Sequence, residues 1–537
     1  VRLNGNASFE YFNTVEVNEG SLTISGGHQF VTQDRYTNDG GTTVIENGGD
    51  LLVRGALTVL GGSVTVDATS AFSAETQTEV IDEEGTTRDV TVEVIGGTLS
   101  IADASTLVTP ATVLSDGPPI DPDGKGPLPS EPAPPIVRTA AFSDRTDLEV
   151  GVNYVGLNAG QVWIVAEQVV IDPDTEDETV VPATIDLGST VIERNDGTIA
   201  ISGENATFDA AEGLRYNHGK LMLANGFVFE TLVNDFRNAP GAAMMLSGAE
   251  FVVTGDAGTF RNDGDLMMDG DSYLFVDQFT NGAGAMLQLD GVLEAGLVVN
   301  SAGASITGSG SISGSIQNDG LLDLGSSPGL IESFGDYTQS AGAAARFEIG
   351  GTEAGVSYDQ LAVTGAVGLL GDLELEVLEG YTPTLGDLFV LIDGDADDDG
   401  GELLTGRFAS IAGVIIDEYL AFAVRYDDVS ADVLAEVVLA GDFNRDGEVG
   451  TPDLAILAGQ FGLSGQLWAE GDATGDGAIG TPDLAVLAGS FGRTAASVPP
   501  PAVTFDDPTG RAAVPEPGTL ALLAAGGVLL GRGRRRA

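Results

Sequence analysis

Short runs in which apolar and polar residues alternate fill most of the chain. Examples are "SLTISGG" at residues 21–27, "DLLVRGALTVLGGSVTVDA" at 50–68 and "VTVEVIGGTLSIADAS" at 90–105. Period-two alternation rich in β-branched residues predicts half-buried strands. Gly, Asn and Asp separate the runs. Asn-Asp-Gly begins at Asn38, Asn195, Asn262 and Asn318, and Asn-Gly at Asn47, Asn225 and Asn281. These residues tolerate positive φ, which predicts turns. The cycle is irregular, at about 18–25 residues, and is clearest over 259–325. Such a period suits a parallel β-solenoid, in which each rung stacks about 4.8 Å above the last. One rung cannot bury its own apolar face, but a stack buries a continuous column. An array of β-sandwiches is the rival arrangement, although long hairpins of equal length are not evident.

The predicted fold class is therefore mainly β: a parallel β-solenoid with a β-rich closing segment, then a small helical two-loop module and a C-terminal hydrophobic helix. The expected divisions are a first solenoid part over 1–115, a Pro-rich linker or loop over 116–137 and a second solenoid part over 138–325. A closing segment follows over 326–440, then the acidic module over 441–493, a linker over 494–513 and a tail over 514–537. Two acidic interruptions, at 79–94 and 168–185, are expected to protrude as hairpins. The Pro-rich stretch cannot join a strand ladder. From 325 to about 440 the alternating strands are longer, with a Ser-Pro-Gly turn, "GDYTQ" and "YDQLAVTG". They resemble the closing segment of autotransporter-like and adhesin-like bacterial solenoids. A last rung must be covered, or its open edge will aggregate.

Composition narrows the function. The net charge is −59, from 81 acidic residues against 22 Lys and Arg. Such a field repels nucleic acid and anionic membrane surfaces and favours divalent cations. Zero cysteine excludes disulfides and thiolate metal sites. No charged and apolar leader precedes the first strand pattern, so either a signal peptide has been removed or the sequence is a fragment.

The strongest chemical signal is a duplication. "GDFNRDGEVGTPDLAILAGQFG" at 441–462 recurs as "GDATGDGAIGTPDLAVLAGSFG" at 471–492, with fifteen of twenty-two positions identical. In the first copy Asp442, Asn444, Asp446, Glu448 and Asp453 fall at positions 1, 3, 5, 7 and 12. The second gives Asp472, Thr474, Asp476, Ala478 and Asp483. This is the spacing of an EF-hand calcium loop, with Gly447 and Gly477 at the sharp turn. Calcium takes six to eight hard oxygens. Position 7 lends only its carbonyl, so Glu448 and Ala478 serve equally. Two Ca2+ ions are expected.

A helix is predicted after each loop, with Thr451 and Thr481 as N-caps and Pro452 and Pro482 in the first turn. Leu454, Leu457, Ala458 and Phe461 form one apolar face, repeated as Leu484, Leu487, Ala488 and Phe491. Gly462 and Gly492 are expected to end the helices. Asp at position 12, no entering helix and the paired copies together resemble a type I dockerin module over 441–492. The resemblance implies calcium-dependent docking onto a cohesin-like protein domain, with Thr451, Pro452, Thr481 and Pro482 choosing the partner. Thr474 departs from the usual Asp or Asn, which predicts a weaker second site. The module could instead fold onto its own chain.

The last residues, "VPEPGTLALLAAGGVLLGRGRRRA", join Pro515, Glu516 and Pro517 to an apolar run and to Arg532, Arg534, Arg535 and Arg536. A helix of about 14 residues spans about 21 Å, short of a bilayer core. The order resembles a PEP-CTERM sorting signal. That implies export, transient tethering in the inner membrane and cleavage near Pro515 by an exosortase-type protease. The mature protein then belongs on the cell surface or in the extracellular matrix.

The sequence thus reads as an exported, non-catalytic scaffold or adhesin-like protein, with no catalytic residues assigned. The alternative is a β-helical polysaccharide lyase or hydrolase carrying a dockerin, and an extracellular polysaccharide is its implied partner. Glycosidase chemistry needs two carboxylates across a cleft, and the sequence alone pairs none. His28 and His218 lie far apart and suggest no zinc site. The acidic run 393–402 reads as a solvated loop.

Overall fold

In the computed structural model, residues 17–101 and 162–498 are described except for short gaps, together with a few strand pairs elsewhere. The Pro-rich segment 116–137, most of the acidic run 393–402 and the expected hydrophobic helix within 514–537 lie outside the described residues. Among the described residues no helix is long and apolar enough to cross a membrane.

Alternation along each short run sends one set of side chains inward. In Ala243–Ser247, Met244 and Leu246 are buried while Met245 faces out. Strands of successive rungs pair in parallel. Glu250–Val253 and Thr259–Asn262 complete the coil that Ala243–Ser247 begins, and Asp265–Met268 then stacks on Ala243–Ser247. Three long sheets result: one of 15 strands from Val17–Asn18 to Ser410–Ala412, one of 11 from Leu157–Asn158 and one of 10 from Val228–Thr231. This is the expected parallel solenoid, and it excludes the sandwich array. The acidic interruptions pair as antiparallel hairpins, Thr76–Thr78 with Thr87–Asp89 and Gln168–Ile171 with Glu178–Val181.

The interior is a stack of like side chains. Phe229 and Phe251 lie 5.1 Å apart and nearly parallel, and Phe236, Phe260 and Phe279 continue the column at 4.9 and 5.4 Å. Burying one such ring contributes about 1.5–3 kcal/mol.

One expectation needs correction. Only Asn47 and Asn225, at φ 54° and 56°, take the left-handed conformation expected of turn residues. The Asn of the other motifs sits fully buried at a strand end. Asn195, Asn217, Asn238, Asn262, Asn281, Asn300 and Asn318 each donate a side-chain amide N–H to the side-chain oxygen of the next, at 2.8–3.1 Å, for six steps. The steps are 22, 21, 24, 19, 19 and 18 residues long. Each also donates to the carbonyl that opens the 15-stranded sheet's strand in the next rung, as Asn262 does to Met286 at 2.9 Å. A buried amide is tolerated only when its donors and acceptor are satisfied, and the stack does this regardless of rung length. The ladder ends where the Asn318 amide meets the Tyr337 hydroxyl, which donates to Gln339 at 2.7 Å.

At the far end the parallel order stops. Leu388–Asp393 pairs antiparallel with Asp432–Leu439, which pairs antiparallel with Leu420–Asp427. The acidic module leaves directly from this ribbon.

Candidate metal centre

Each acidic copy is a loop followed by a helix: α1, Thr451–Gln460, and α2, Thr481–Ser490. Gly462 and Gly492 end them in the left-handed conformation, at φ 85° and 82°, as expected. The N-caps are Gly450 and Gly480, not the threonines, so Thr451 and Thr481 open the helices and Pro452 and Pro482 follow. The capping group is the position-12 carboxylate. One oxygen of Asp453 accepts from the Gly450 N–H at 2.8 Å, and the other from Phe443 and Asn444 at 2.9 and 3.2 Å. Asp483 repeats this with Gly480, Ala473 and Thr474 at 2.8, 3.0 and 3.1 Å.

This inward carboxylate turns the helix. Asp453 and Leu457 are buried, whereas Leu454 is 38% and Phe461 50% exposed, and Leu484 and Phe491 match those values. The apolar face expected from helical spacing is therefore only partly covered. The small core instead joins Leu457 and Leu487 to Phe443, Val449, Trp468, Ala473 and Ile479. The two copies also lock each other at position 8. Val449 N–H donates to the Arg493 carbonyl beyond α2, and Ile479 N–H to the Leu463 carbonyl beyond α1, both at 2.9 Å.

Hydrogen bonds curl both loops, and among the described residues a group of three carboxylates converges in the second. Asp442 accepts N–H from Asp446 and Gly447 at 3.2 and 2.9 Å, and Asp472 from Gly475 and Gly477 at 2.8 and 2.9 Å. Asn444 accepts from the Asp446 N–H at 2.9 Å, while Asp446 and Asp476 accept from Glu448 and Ala478 at 3.0 and 2.9 Å. These bonds curl each loop. Asp472, Asp476 and Asp483 each place an oxygen within 4.8 Å of the others. The Thr474 hydroxyl reaches Asp483 at 2.9 Å. Burial pushes Asp472 above the ordinary carboxylate range, and the charges of Asp483 and Asp476 add to the shift. Burial likewise raises Asp442, with Asp453 adding. An all-oxygen set under mutual repulsion fits a hard divalent cation.

The two loops differ in their surroundings. Asn444, Asp446 and Glu448 are exposed. The second loop lies against Ser410–Ala412, the last strand of the 15-stranded sheet. Ile411 N–H donates to the Gly475 carbonyl at 2.6 Å. A Cβ at Gly475 would sit 2.2 Å from the Ile411 carbonyl oxygen, so only glycine permits this approach. The first loop is tied to the ribbon by Arg445, which reaches Glu436 at 3.0 Å. The Trp468 indole N–H donates to the Asp442 carbonyl at 3.1 Å, and Arg493 lies 4.4 Å over the Tyr419 ring. Nothing in the loop spacing signalled these contacts. Thr451, Pro452, Thr481 and Pro482 are all exposed.

A second acidic feature is a cavity of about 140 Å³ beside the short turn Asp209–Gly213. Glu204, Asp209, Glu212, Glu230 and Phe227 help to line it. Burial raises Glu212, and the charges of Asp209 and Glu230 contribute.

No curated protein matches the chain. Pro515, Glu516, Pro517 and the terminal arginines lie outside the described residues, but residues 513–537 match the PEP-CTERM protein-sorting motif. That motif is generally recognised by exosortase. The chain is thus a β-solenoid protein carrying the signal of an exported, membrane-anchored precursor that is sorted to the cell surface.

Proposed function

We propose that this surface-sorted solenoid is a non-catalytic scaffold whose terminal module binds two calcium ions, caps the rod and docks a partner protein. The observation that carries the calcium reading is the convergence of Asp472, Asp476 and Asp483 within 4.8 Å. Asp442, Asn444, Asp446, the Glu448 carbonyl and Asp453 would hold the first ion. Asp472, Thr474, Asp476, the Ala478 carbonyl and Asp483 would hold the second. Calcium supplies the positive charge that offsets repulsion among the buried acids. The protein's own part is to keep the loops curled through the N–H bonds to positions 1, 3, 5 and 12. The module then presents Thr451, Pro452, Thr481 and Pro482, with Leu454, Phe461, Leu484 and Phe491 beside them, to a cohesin-like domain. Calorimetric titration of calcium into the full chain tests the reading: two bound ions are expected, and uptake of none rejects it. Capture of a partner in calcium but not in chelator would separate docking from self-capping.

A second reading, a polysaccharide-active enzyme, has one observation in its favour: the cavity at Asp209–Gly213 pairs carboxylates with Phe227. Under that reading Glu212 is the general acid, and Glu212→Gln abolishes depolymerisation of an extracellular polysaccharide. Its prediction fails if the unaltered protein releases no oligosaccharide.

A further inference from the structure

All six methionines of the 537-residue chain lie between 222 and 286. Met244 and Met268 point inward and are 0% and 1% exposed, so core filling accounts for them. The other four do not fill the core. Met222, Met245, Met267 and Met286 stand on the outer side of four successive strands of the 15-stranded sheet. Met222 pairs directly with Met245, and Met245 with Met267. Three thioether side chains therefore rise in one column at the inter-strand spacing of about 4.8 Å. Met286 pairs with Asp265, two residues from Met267, which makes it the diagonal neighbour at about 7–8 Å. The column begins after Ala200 and ends at Gln288. Beyond the methionines the same face carries mixed residues, among them Ile164, Thr307, Leu321 and Asp323, and no other methionine. Met245 is 37% exposed, an open position for an apolar side chain.

We propose that this column is a binding site for a soft monovalent cation, Cu(I). Thioethers are uncharged, need no deprotonation and prefer soft ions to calcium or magnesium. Each methionine has three rotatable bonds, so neighbouring sulfurs one strand apart can converge on one ion. The chain has no Cys and only two His, which leaves few competing soft ligands. Lys220 stands beside Met222 and Asp265 beside Met267. Local charge therefore favours the Met245, Met267 and Met286 end, and the net charge of −59 favours any cation. The proposal is independent of the calcium reading.

The test is anaerobic Cu(I) titration of the full chain against a chromophoric Cu(I) chelator, with X-ray absorption of the loaded protein. One ion with sulfur ligands is expected. In the variant Met222→Leu, Met245→Leu, Met267→Leu, affinity should fall by more than about tenfold. These swaps nearly conserve volume, so circular dichroism and calcium uptake should not change. Oxidised or unbound copper with the unaltered protein, equal affinity in the variant, or ligation by nitrogen and oxygen alone would each overturn the proposal.

Discussion

Chelating calcium should loosen the end of the solenoid as well as the module. Asp476→Ala is a suitable perturbation, because Asp476 is exposed and its one protein bond is to the Ala478 N–H at 2.9 Å. Without metal, losing that bond costs about 1 kcal/mol. With metal it removes a ligand at position 5. At calcium a hundredfold above the dissociation constant, an occupied site adds about 2.7 kcal/mol. The Gly475 carbonyl lies inside the same loop and accepts from Ile411 at 2.6 Å. Opening of the Ser410–Ala412 edge should therefore inherit most of that energy. Hydrogen exchange read by mass spectrometry over 408–414 should slow about a hundredfold on adding calcium. Asp476→Ala should abolish the slowing. Asp446→Ala, the matching change in the exposed first loop, should leave most of it. Equal exchange in calcium and chelator, or equal effects of the two variants, would refute the coupling between the second loop and the edge.

Other consequences are open to measurement. Asn262→Ala removes three amide bonds of 2.8–2.9 Å and leaves Asn281 without its donor, so chemical denaturation should show a loss of about 3–5 kcal/mol. Asn47→Ala, at an exposed turn with φ 54°, should cost only about 1–2 kcal/mol. Burial pushes Asp359 up to about 7, against its N–H bonds from Gly329 and Glu348. A carboxyl held above its unfolded value stabilises the fold when protonated. That contribution is present below about pH 4 and lost as pH rises to about 7. Asp359→Asn should therefore remove part of the fall in melting temperature between pH 5 and pH 8, measured as the difference from the unaltered protein. Deleting 514–537 should release the exported protein from the membrane fraction, which immunoblotting of fractions would show.

Much of the architecture was legible because it rests on local signals. Alternation gave the strands, their irregular spacing gave stacked rungs, and the acidic interruptions gave hairpins. The two loop-and-helix copies were legible because a duplicated short turn followed by Thr-Pro fixes where each helix starts. The asparagine ladder is hidden from local sequence rules for a physical reason. Asn is common in turns because it tolerates positive φ, and that explanation holds at Asn47 and Asn225. At Asn262 the amide serves a bond to a residue 19 positions away, which no local rule reveals. The recurring signal was an apolar residue two places before the last five Asn, Phe236, Phe260, Phe279, Val298 and Ile316, whereas Glu193 and Arg215 hold that place before the first two. The helix face differs from its spacing for a related reason: the loop pattern assigns Asp453 only the part of an expected metal ligand. In the structure Asp453 caps its own helix from inside, and Leu454 and Phe461 face outward.

The strength of calcium binding can also be argued from the ligands. Each loop offers three carboxylates, one neutral side chain at position 3 and a backbone carbonyl at position 7. Asp453 and Asp483 are shorter than the Glu usual at position 12 and already accept three N–H bonds each. Both features lower affinity, the first by reach and the second by competition for lone pairs. The raised protonation of Asp442 and Asp472 lowers it further, because protons must leave before the ion binds. A dissociation constant of about 0.1–1 mM is expected, the range of extracellular modules. It should weaken further as pH is lowered through the raised values. On the proposed calcium reading, such a module would close over the solenoid edge only after export, where the sorting signal sends the chain. Nanomolar binding at neutral pH would defeat that argument, since the cap would then close before the protein left the cell.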